Sequence, residues 1–361
     1  MPGFHLSYRG LFWRYHPSPP EPCPAGVTRT FIETPNGSLE VLSAGPVGGS
    51  TNKSPIFFAH GGMGSAFVWA EYLQYFGSLG IPCYAISLRG HGNSWHPSFL
   101  RMVWGTTKQM LAGDLIAGIR YAEEKESREV ILVGHSSGGG LSQLILSNGD
   151  VKAKGLALLG AVPAFGSYAS LLKNPSSSRL LLTNANRAGV YVNWMSKDPF
   201  LMIRMILQGY HPNSPLSHPA LTKQAFFCEK VSDSYVEAFH RRLSPFESFL
   251  WPFGMLLPFA TPARIVGSVV GSAKGLKILV MGGERDIMTT PDVMRKLASR
   301  LREAIEGRSS RKQTDGEKSM DATTAGVRCV FVEGAGHHLQ NDVQWKDGAR
   351  KLFEFYERVQ E

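Results

Sequence analysis

Ser136 lies in the run Val-Ile-Leu-Val-Gly-His-Ser-Ser-Gly-Gly-Gly, residues 130–140. Within it, Gly134-His135-Ser136-Ser137-Gly138 sets a serine between glycines two residues before and two after. That pattern suits a sharp strand-to-helix turn that lifts a hydroxyl clear of a sheet, because side chains at the glycine positions would collide. A serine so presented can attack a carbonyl carbon, provided a base takes its proton. Gly-x-Ser-x-Gly arises often by chance. Here an apolar strand precedes it and a small-residue helix follows, which decides for the functional reading over a plain glycine-rich loop. A second stretch, His60-Gly61-Gly62-Met63-Gly64, follows the apolar run 56–59. Acyl transfer needs two backbone N–H groups aimed at the developing oxyanion. Ser137, next to the nucleophile, supplies one; Gly62 is the choice for the other, with Met63 as the alternative. The base and its orienting acid must come from elsewhere in the chain. Later apolar runs end near Asp286 and Glu284, and near the adjacent His337 and His338.

Elements that can hold these residues are visible as short apolar runs. Strands are expected over 28–33 and 38–43, joined at Pro35-Asn36-Gly37 as a hairpin. Six more are expected over 56–59, 83–87, 130–133, 156–159, 278–281 and 329–332. These six are apolar on both faces, as parallel strands covered by helices should be. Helical patterns fill 67–79, 107–125, 139–146, 292–305 and 343–359. The alternation predicts an α/β fold with a doubly wound, mostly parallel eight-stranded sheet. Two segments interrupt it. Residues 163–274 carry no clear strand and several apolar helical stretches, which predicts a helical cap or lid inserted into the core of 28–162 and 275–361. Residues 307–326 are polar and poor in bulky apolar side chains, which predicts a flexible loop. Residues 1–27 form an aromatic and basic N-terminal arm, expected to pack on the domain.

Composition narrows the function classes. The 361 residues are 43% hydrophobic, enough for a sizeable core. The net charge is +9, but Lys and Arg are scattered and no nucleic-acid module accompanies them. A solvated basic surface is the reading, with no nucleic-acid partner. Cys23, Cys83, Cys228 and Cys329 are far apart and form no Cys-x-x-Cys or Cys/His cluster, so no metal and no disulfide framework are expected. The N-terminus lacks an apolar signal-peptide core, which points to a cytoplasmic location. No run of about 18 apolar residues is present. The best candidate, 249–271, is broken by Pro252, Pro258, Pro262 and Arg264, and reads as a greasy surface for peripheral membrane contact rather than a span.

Taken together, His60-Gly61-Gly62-Met63-Gly64, Arg89-Gly90-His91-Gly92-Asn93-Ser94, Gly134 to Gly139, Gly282-Gly283-Glu284-Arg285-Asp286 and Gly334-Ala335-Gly336-His337-His338 resemble the α/β-hydrolase superfamily. The likeness is to its lid-bearing branch of esterases, monoacylglycerol-lipase-like enzymes, carbon–carbon hydrolases and epoxide hydrolases. It runs from about residue 57 to the end of the chain. The family order of serine, acid, then histidine implies His337 as base, on the Gly-x-Gly-His spacing, rather than His338. It implies Asp286 as the acid, with Glu284 short of the family's position. The alternative acid after the sixth strand is absent from 156–166. The Arg89 to Ser94 loop matches a structural element of the family, so His91 is not expected to act in catalysis. Serine at the elbow, where epoxide hydrolases carry aspartate, implies an acyl-enzyme route.

The resemblance thus implies a serine hydrolase with Ser136, Asp286 and His337 as triad, Gly62 and Ser137 as oxyanion donors, and no cofactor. The apolar cap points to a mid-sized hydrophobic ester, such as a lipid or a secondary metabolite. Two alternatives keep the scaffold: a lyase, cyclase or transacylase on the same triad, and a ligand-binding receptor.

Overall fold

Phe57 and Phe58 are neighbours in sequence and belong to opposite layers of the molecule, because successive side chains of a strand point to opposite faces. Phe58 packs with Trp69, Tyr72, Phe76, Leu352 and Phe355. Phe57 lies in the opposite layer, which also holds Leu115, Ile119, Ile145, Leu297 and Leu301. A sheet buried on both sides explains why its strands are uninterrupted apolar runs. The computed structural model describes residues 3–46, 52–167, 190–307 and 322–361.

The strands are β1 (Val27–Ile32), β2 (Leu39–Ala44), β3 (Ile56–Ala59), β4 (Cys83–Ile86), β5 (Ile131–His135), β6 (Gly155–Leu159), β7 (Ile278–Gly283), β8 (Ala322–Thr324) and β9 (Val327–Val332). They form one sheet in the order β1-β2-β4-β3-β5-β6-β7-β9-β8. The run from β4 to β9 is parallel throughout, with Phe57 opposite Leu132 and Val133 opposite Ala157. β1 and β2 form the expected hairpin, and β2 also pairs antiparallel with β4. The eight expected strands are all present.

A ninth strand was not expected. Residues 322–324 fall within the predicted polar loop, yet β8 pairs antiparallel with β9, Thr324 facing Val327. The tight turn is made by Ala325 and Gly326, both left-handed at φ 46° and 76°, the geometry that joins adjacent strands without splaying them. The remainder of that loop, 308–321, lies outside the described residues.

Helices flank the sheet as α1 (Ala70–Ser78), α2 (Lys108–Glu126) and α3 (Ser136–Asn148), then α4 (Val190–Lys197), α5 (Leu201–Leu207), α6 (Pro219–Phe226), α7 (Asp233–Arg241), α8 (Leu250–Phe253) and α9 (Pro262–Gly267), and finally α10 (Pro291–Ile305) and α11 (Trp345–Gln360). The long helices bury one stripe each. In α10 the buried residues are Val293, Met294, Leu297, Ala298 and Leu301, the spacing of a single helical face. Thr107 caps α2 by accepting the Met110 N–H, and Gly149 closes α3 in the left-handed conformation.

In its described part the insertion between β6 and β7 carries the helices α4 to α9, joined by turns and irregular segments. Segment 249–271, read from sequence as a greasy surface, is divided: Phe253, Leu257 and Val270 are exposed, whereas Trp251, Met255, Ile265, Val266 and Val269 are buried in the same layer as Leu141, Leu144 and Ile145 of α3. The prolines that break it as a membrane span let it turn repeatedly and fill that layer. Among the described residues, no helix is long and apolar enough to cross a membrane.

Candidate active site

The site is assembled at the carboxyl ends of β3, β5, β7 and β9, beside the point where strand order reverses between β3 and its two neighbours. β5 delivers Ser136 directly into the first turn of α3. Ser136 takes φ 52°, a left-handed conformation that side-chain-bearing residues rarely adopt. The surrounding glycines make that turn feasible. A Cβ on Gly138 would lie 2.1 Å from the His60 carbonyl oxygen, and one on Gly134 would lie 2.6 Å from Gly139 Cα. Close approach also explains why α3 begins at Ser136 rather than near 139. Gly138, Gly139 and Gly140 pack against the loop after β3, Ala161 and Met255, so this glycine-rich turn is helical by tertiary fit rather than by propensity.

His337, after β9, places Nε2 3.0 Å from Ser136 Oγ. Its Nδ1 lies 2.8 Å from Asp286 Oδ2. The Asp286 carboxylate is buried and fully engaged. Oδ1 accepts the N–H groups of Met288 (2.8 Å) and Thr289 (2.9 Å), and Oδ2 accepts the Thr289 hydroxyl at 2.5 Å. Burial pushes the Asp286 carboxyl up, but the charge of His337 and these hydrogen bonds outweigh it and hold the group below its ordinary range. Asp286 is therefore a fixed anion behind the imidazole. Gly160 lets these groups converge: at φ 49°, its missing Cβ would stand 3.2–3.4 Å from Thr289 Oγ1, Asp286 Oδ2 and His337 Nδ1.

The competing residues have other duties. His338 turns away from Ser136 into a cage of Phe226, Phe227 and Phe239, with Nδ1 3.1 Å from Asn341 Oδ1. Burial, with the neighbouring His337, lowers its pKa to about 3, so it is neutral. Glu284 is exposed and accepts the Gly334 N–H at 2.9 Å. Met63 N–H is taken by Glu247 Oε2 at 2.7 Å. Gly62 N–H points to Ser137 Oγ at 2.8 Å. The N–H of Ser137 lies in the first turn of α3, where helix geometry leaves amides without an intrahelical carbonyl. Gly62 and Ser137 are thus brought together beside Ser136, over which Gly61 packs so closely that a Cβ there would be 2.8 Å from Ser136 Cβ.

Three supporting residues were not foreseen from sequence. Thr289 braces Asp286. His135 donates from Nε2 to the His337 carbonyl at 3.0 Å, and burial drives its pKa well down. Asp342 accepts the N–H groups of Gly336 and Cys228, each at 2.8 Å, which ties the histidine loop to the insertion. Only Thr289 left a trace in the sequence, as Asp-x-x-Thr, a spacing at which side chain and backbone bond locally.

A sheet of this order, with these loops at its carboxyl edge, defines a class. The sequence model of the alpha/beta hydrolase family matches residues 56–346, and the chain belongs to that family. Its fold is shared with solved structures of low sequence identity. An esterase from Thermogutta terrifontis superposes with a TM-score of 0.58 at 15% identity, covering 92% of this chain and 100% of that one. A putative aryl esterase from Burkholderia cenocepacia gives 0.52 at 16%, covering 92% and 99%. A 2-hydroxy-6-oxo-6-phenylhexa-2,4-dienoate hydrolase from Rhodococcus sp. strain RHA1 gives 0.52 at 16%, covering 92% and 99%.

Proposed function

We propose that this hydrolase is a serine esterase acting through an acyl-enzyme. The observation that carries the reading is the continuous relay from Ser136 Oγ to His337 to Asp286, at 3.0 and 2.8 Å, with the serine on a strained turn. His337 Nε2 takes the Ser136 proton as the hydroxyl oxygen attacks the carbonyl carbon. Asp286 holds the Nδ1–H tautomer and stabilises the imidazolium that forms. The carbonyl oxygen, now anionic, is received by the N–H groups of Gly62 and Ser137. Gly62 then exchanges a neutral hydroxyl acceptor for a charged one, and hydrogen bonds to charged groups are stronger. His337 returns the proton to the leaving alkoxide. Water activated by the same base cleaves the acyl-enzyme and releases the acid.

The helical insertion acts as the cap over this site and selects substrate. Its outer helix α5 exposes Met202, Ile203, Ile206 and Leu207, an apolar face that supports contact with lipid-like material. Hydrophobic esters are the matching substrate class. That the esterase from Thermogutta terrifontis and the putative aryl esterase share the fold supports ester cleavage as the reaction.

The test is labelling by a fluorophosphonate probe, followed by hydrolysis of p-nitrophenyl esters from acetate to octanoate. Ser136 is the labelled residue, and Ser136→Ala loses both labelling and turnover while keeping its melting temperature. Since each buried methylene is worth about 0.8 kcal/mol, kcat/KM rises stepwise with acyl length. Label on Ser137, or labelling without turnover of any ester, would overturn the assignment, the second outcome favouring a binding role.

A further inference from the structure

Glu247 belongs to the insertion, between α7 and α8, and is buried. Its Oε2 accepts the Met63 N–H at 2.7 Å and lies 2.9 Å from His91 Nε2, while Oε1 accepts the Ser248 N–H at 2.7 Å. Three residues earlier, Ser244 donates its N–H to the Met63 carbonyl at 2.9 Å and its hydroxyl to the Gly64 carbonyl at 3.3 Å. Both backbone groups of Met63 are therefore gripped from the insertion. Met63 takes φ 61°, a left-handed conformation that in a side-chain-bearing residue persists only when its surroundings enforce it. The residue before it is Gly62, whose absent Cβ would stand 3.6 Å from Glu247 Oε2. The carboxylate thus lies against the loop that offers the oxyanion donor.

A lone carboxylate at that spot would oppose the reaction, because an anion forms nearby in a site of low dielectric. His91 answers this. Its Nδ1 faces the Arg89 carbonyl at 2.8 Å, a pure acceptor, so that nitrogen carries hydrogen. Its Nε2 faces the carboxylate, so it carries hydrogen as well, and the ring is an imidazolium. The other groups around it fit this state. His60, 4.8 Å away ring to ring, has Nδ1 against the Gly61 carbonyl and Nε2 accepting the Leu88 N–H, which makes it neutral. Trp251 of α8 presents a ring edge-to-face, 6.0 Å away between centroids. Asp114 of α2 is paired to Arg89, and burial lowers the pKa of His96 to about 4. Burial alone would lower the pKa of His91, but Glu247, the Arg89 carbonyl and Asp114 overcome it and raise the group above its ordinary value.

We propose that Glu247 and His91 are a positioning ion pair for the oxyanion loop: Glu247 fixes the Gly62–Met63 peptide from the insertion, and His91 cancels the carboxylate's charge beside the forming oxyanion. Neither residue touches substrate. The inference rests on the esterase reading, and it adds a pH dependence. The acceptors on both ring nitrogens hold His91 as an imidazolium, and that charge is lost as pH rises through a pKa above the ordinary imidazole value. Turnover then declines on the alkaline side, where Glu247 is left unbalanced.

The experiment measures kcat and KM for p-nitrophenyl butyrate from pH 6 to 10 in the parent enzyme, Glu247→Gln, Glu247→Ala and Ser136→Ala. Loss of an oxyanion donor costs about 10²–10³ in kcat. Glu247→Ala, which frees the loop, lowers kcat about 10²-fold with KM little changed. Glu247→Gln recovers about tenfold of that loss, because its amide oxygen still accepts the Met63 N–H, and its alkaline decline disappears. A Glu247→Gln profile with the parent's alkaline limb overturns the pair. So does Glu247→Ala with parental kcat and only a lowered melting temperature. Should Glu247→Ala not fold, the Glu247→Gln profile decides alone. An active Ser136→Ala would instead overturn the esterase reading, independently of what Glu247 does.

Discussion

Two adjacent histidines lie in the loop after β9, and the geometry separates their surroundings. His337 lies between Ser136 and Asp286, whereas His338 faces Phe226, Phe227 and Phe239 and is held neutral by burial. His337→Ala is therefore expected to lower kcat by a factor on the order of 10³ or more. His338→Ala leaves most turnover and lowers the melting temperature, because it removes a ring from a packed aromatic cluster. Steady-state kinetics beside thermal melting reads both effects, and the reverse ranking would move the base. Asp286→Asn should preserve the fold and lower kcat by about 10⁴, since the amide holds the wrong imidazole tautomer. Thr289→Val removes one of the bonds that keep Asp286 ionised and should cost less than Asp286→Asn does. At this scale the sequence was informative where chemistry imposes a pattern. Ser136 is framed by glycines that steric contact requires, and Asp286 and His337 each lie in the loop that follows an apolar strand. His135, Asp342 and Glu247 were not legible, because each acts through a partner distant in sequence or through a backbone group, and Thr289 left only the local Asp-x-x-Thr spacing. Glu247 and Met63 are 184 positions apart.

The elements repeat that division between local and distant causes. Strands β3 to β7 and β9 follow from apolar runs, whose two-sided burial is a local signature, and β1 and β2 from the hairpin turn at Pro35-Asn36-Gly37. The short β8 escaped because Ala322 to Thr324 carries too little apolar surface to mark a strand; pairing with β9 and the Ala325-Gly326 turn create it. Segment 249–271 was legible only in part, for the opposite reason. It is apolar enough to suit a surface or a core, and only tertiary packing decides that Trp251, Met255 and Ile265 go inside while Phe253, Leu257 and Val270 stay outside. Glycines offer a clean test of tertiary against intrinsic control in helices. Gly138 in α3 has no room, its Cβ falling 2.1 Å from the backbone oxygen of His60. Gly138→Ala should destabilise by about 3 kcal/mol, the upper end of overpacking costs, and abolish turnover by displacing the loop that bears Gly62. Gly113 in α2 is exposed with nothing within 4 Å of a built Cβ. Gly113→Ala should stabilise by about 1 kcal/mol through helix propensity alone and leave turnover unaltered. Urea denaturation of the two variants gives both numbers, and a stabilising Gly138→Ala would mean that α3 is less tightly seated than the contacts imply.

Across the whole molecule, the N-terminal arm and the insertion are stitched together. Tyr8 Oη donates to the Leu207 carbonyl, Gln208 donates to the Ser7 carbonyl, and His211 donates to the Phe12 carbonyl. Trp13 packs between Phe99 and His211. With the arm bound to the insertion, and the insertion bound to the loops after β3 and β9 through Glu247 and Asp342, unfolding is expected to be cooperative and governed by buried groups common to all parts. Histidines dominate that set. His60, His135 and His338 are buried and neutral, the first two with pKa values driven well below ordinary and the third to about 3. In the unfolded chain each would titrate near 6.5. The folded pKa lies below the unfolded one, so the unfolded state takes up protons first as pH falls. Stability from these groups is complete above about pH 6.5 and is lost progressively toward pH 3. His91 does not offset the loss, since its raised pKa leaves it charged in both states over that range. These three protons alone contribute a slope of about 4 kcal/mol per pH unit once pH is well below 6.5, and His96, lowered to about 4, adds to it. The urea midpoint should therefore be flat between pH 7 and 8 and fall steeply between pH 6 and 5, long before ordinary carboxylates protonate. Replacing His338 with Gln, which cannot titrate, should lower that slope by one proton's share, about 1.4 kcal/mol per pH unit. A midpoint unchanged down to pH 5 would mean that these rings are protonated in the fold, contrary to the hydrogen bonds that surround them.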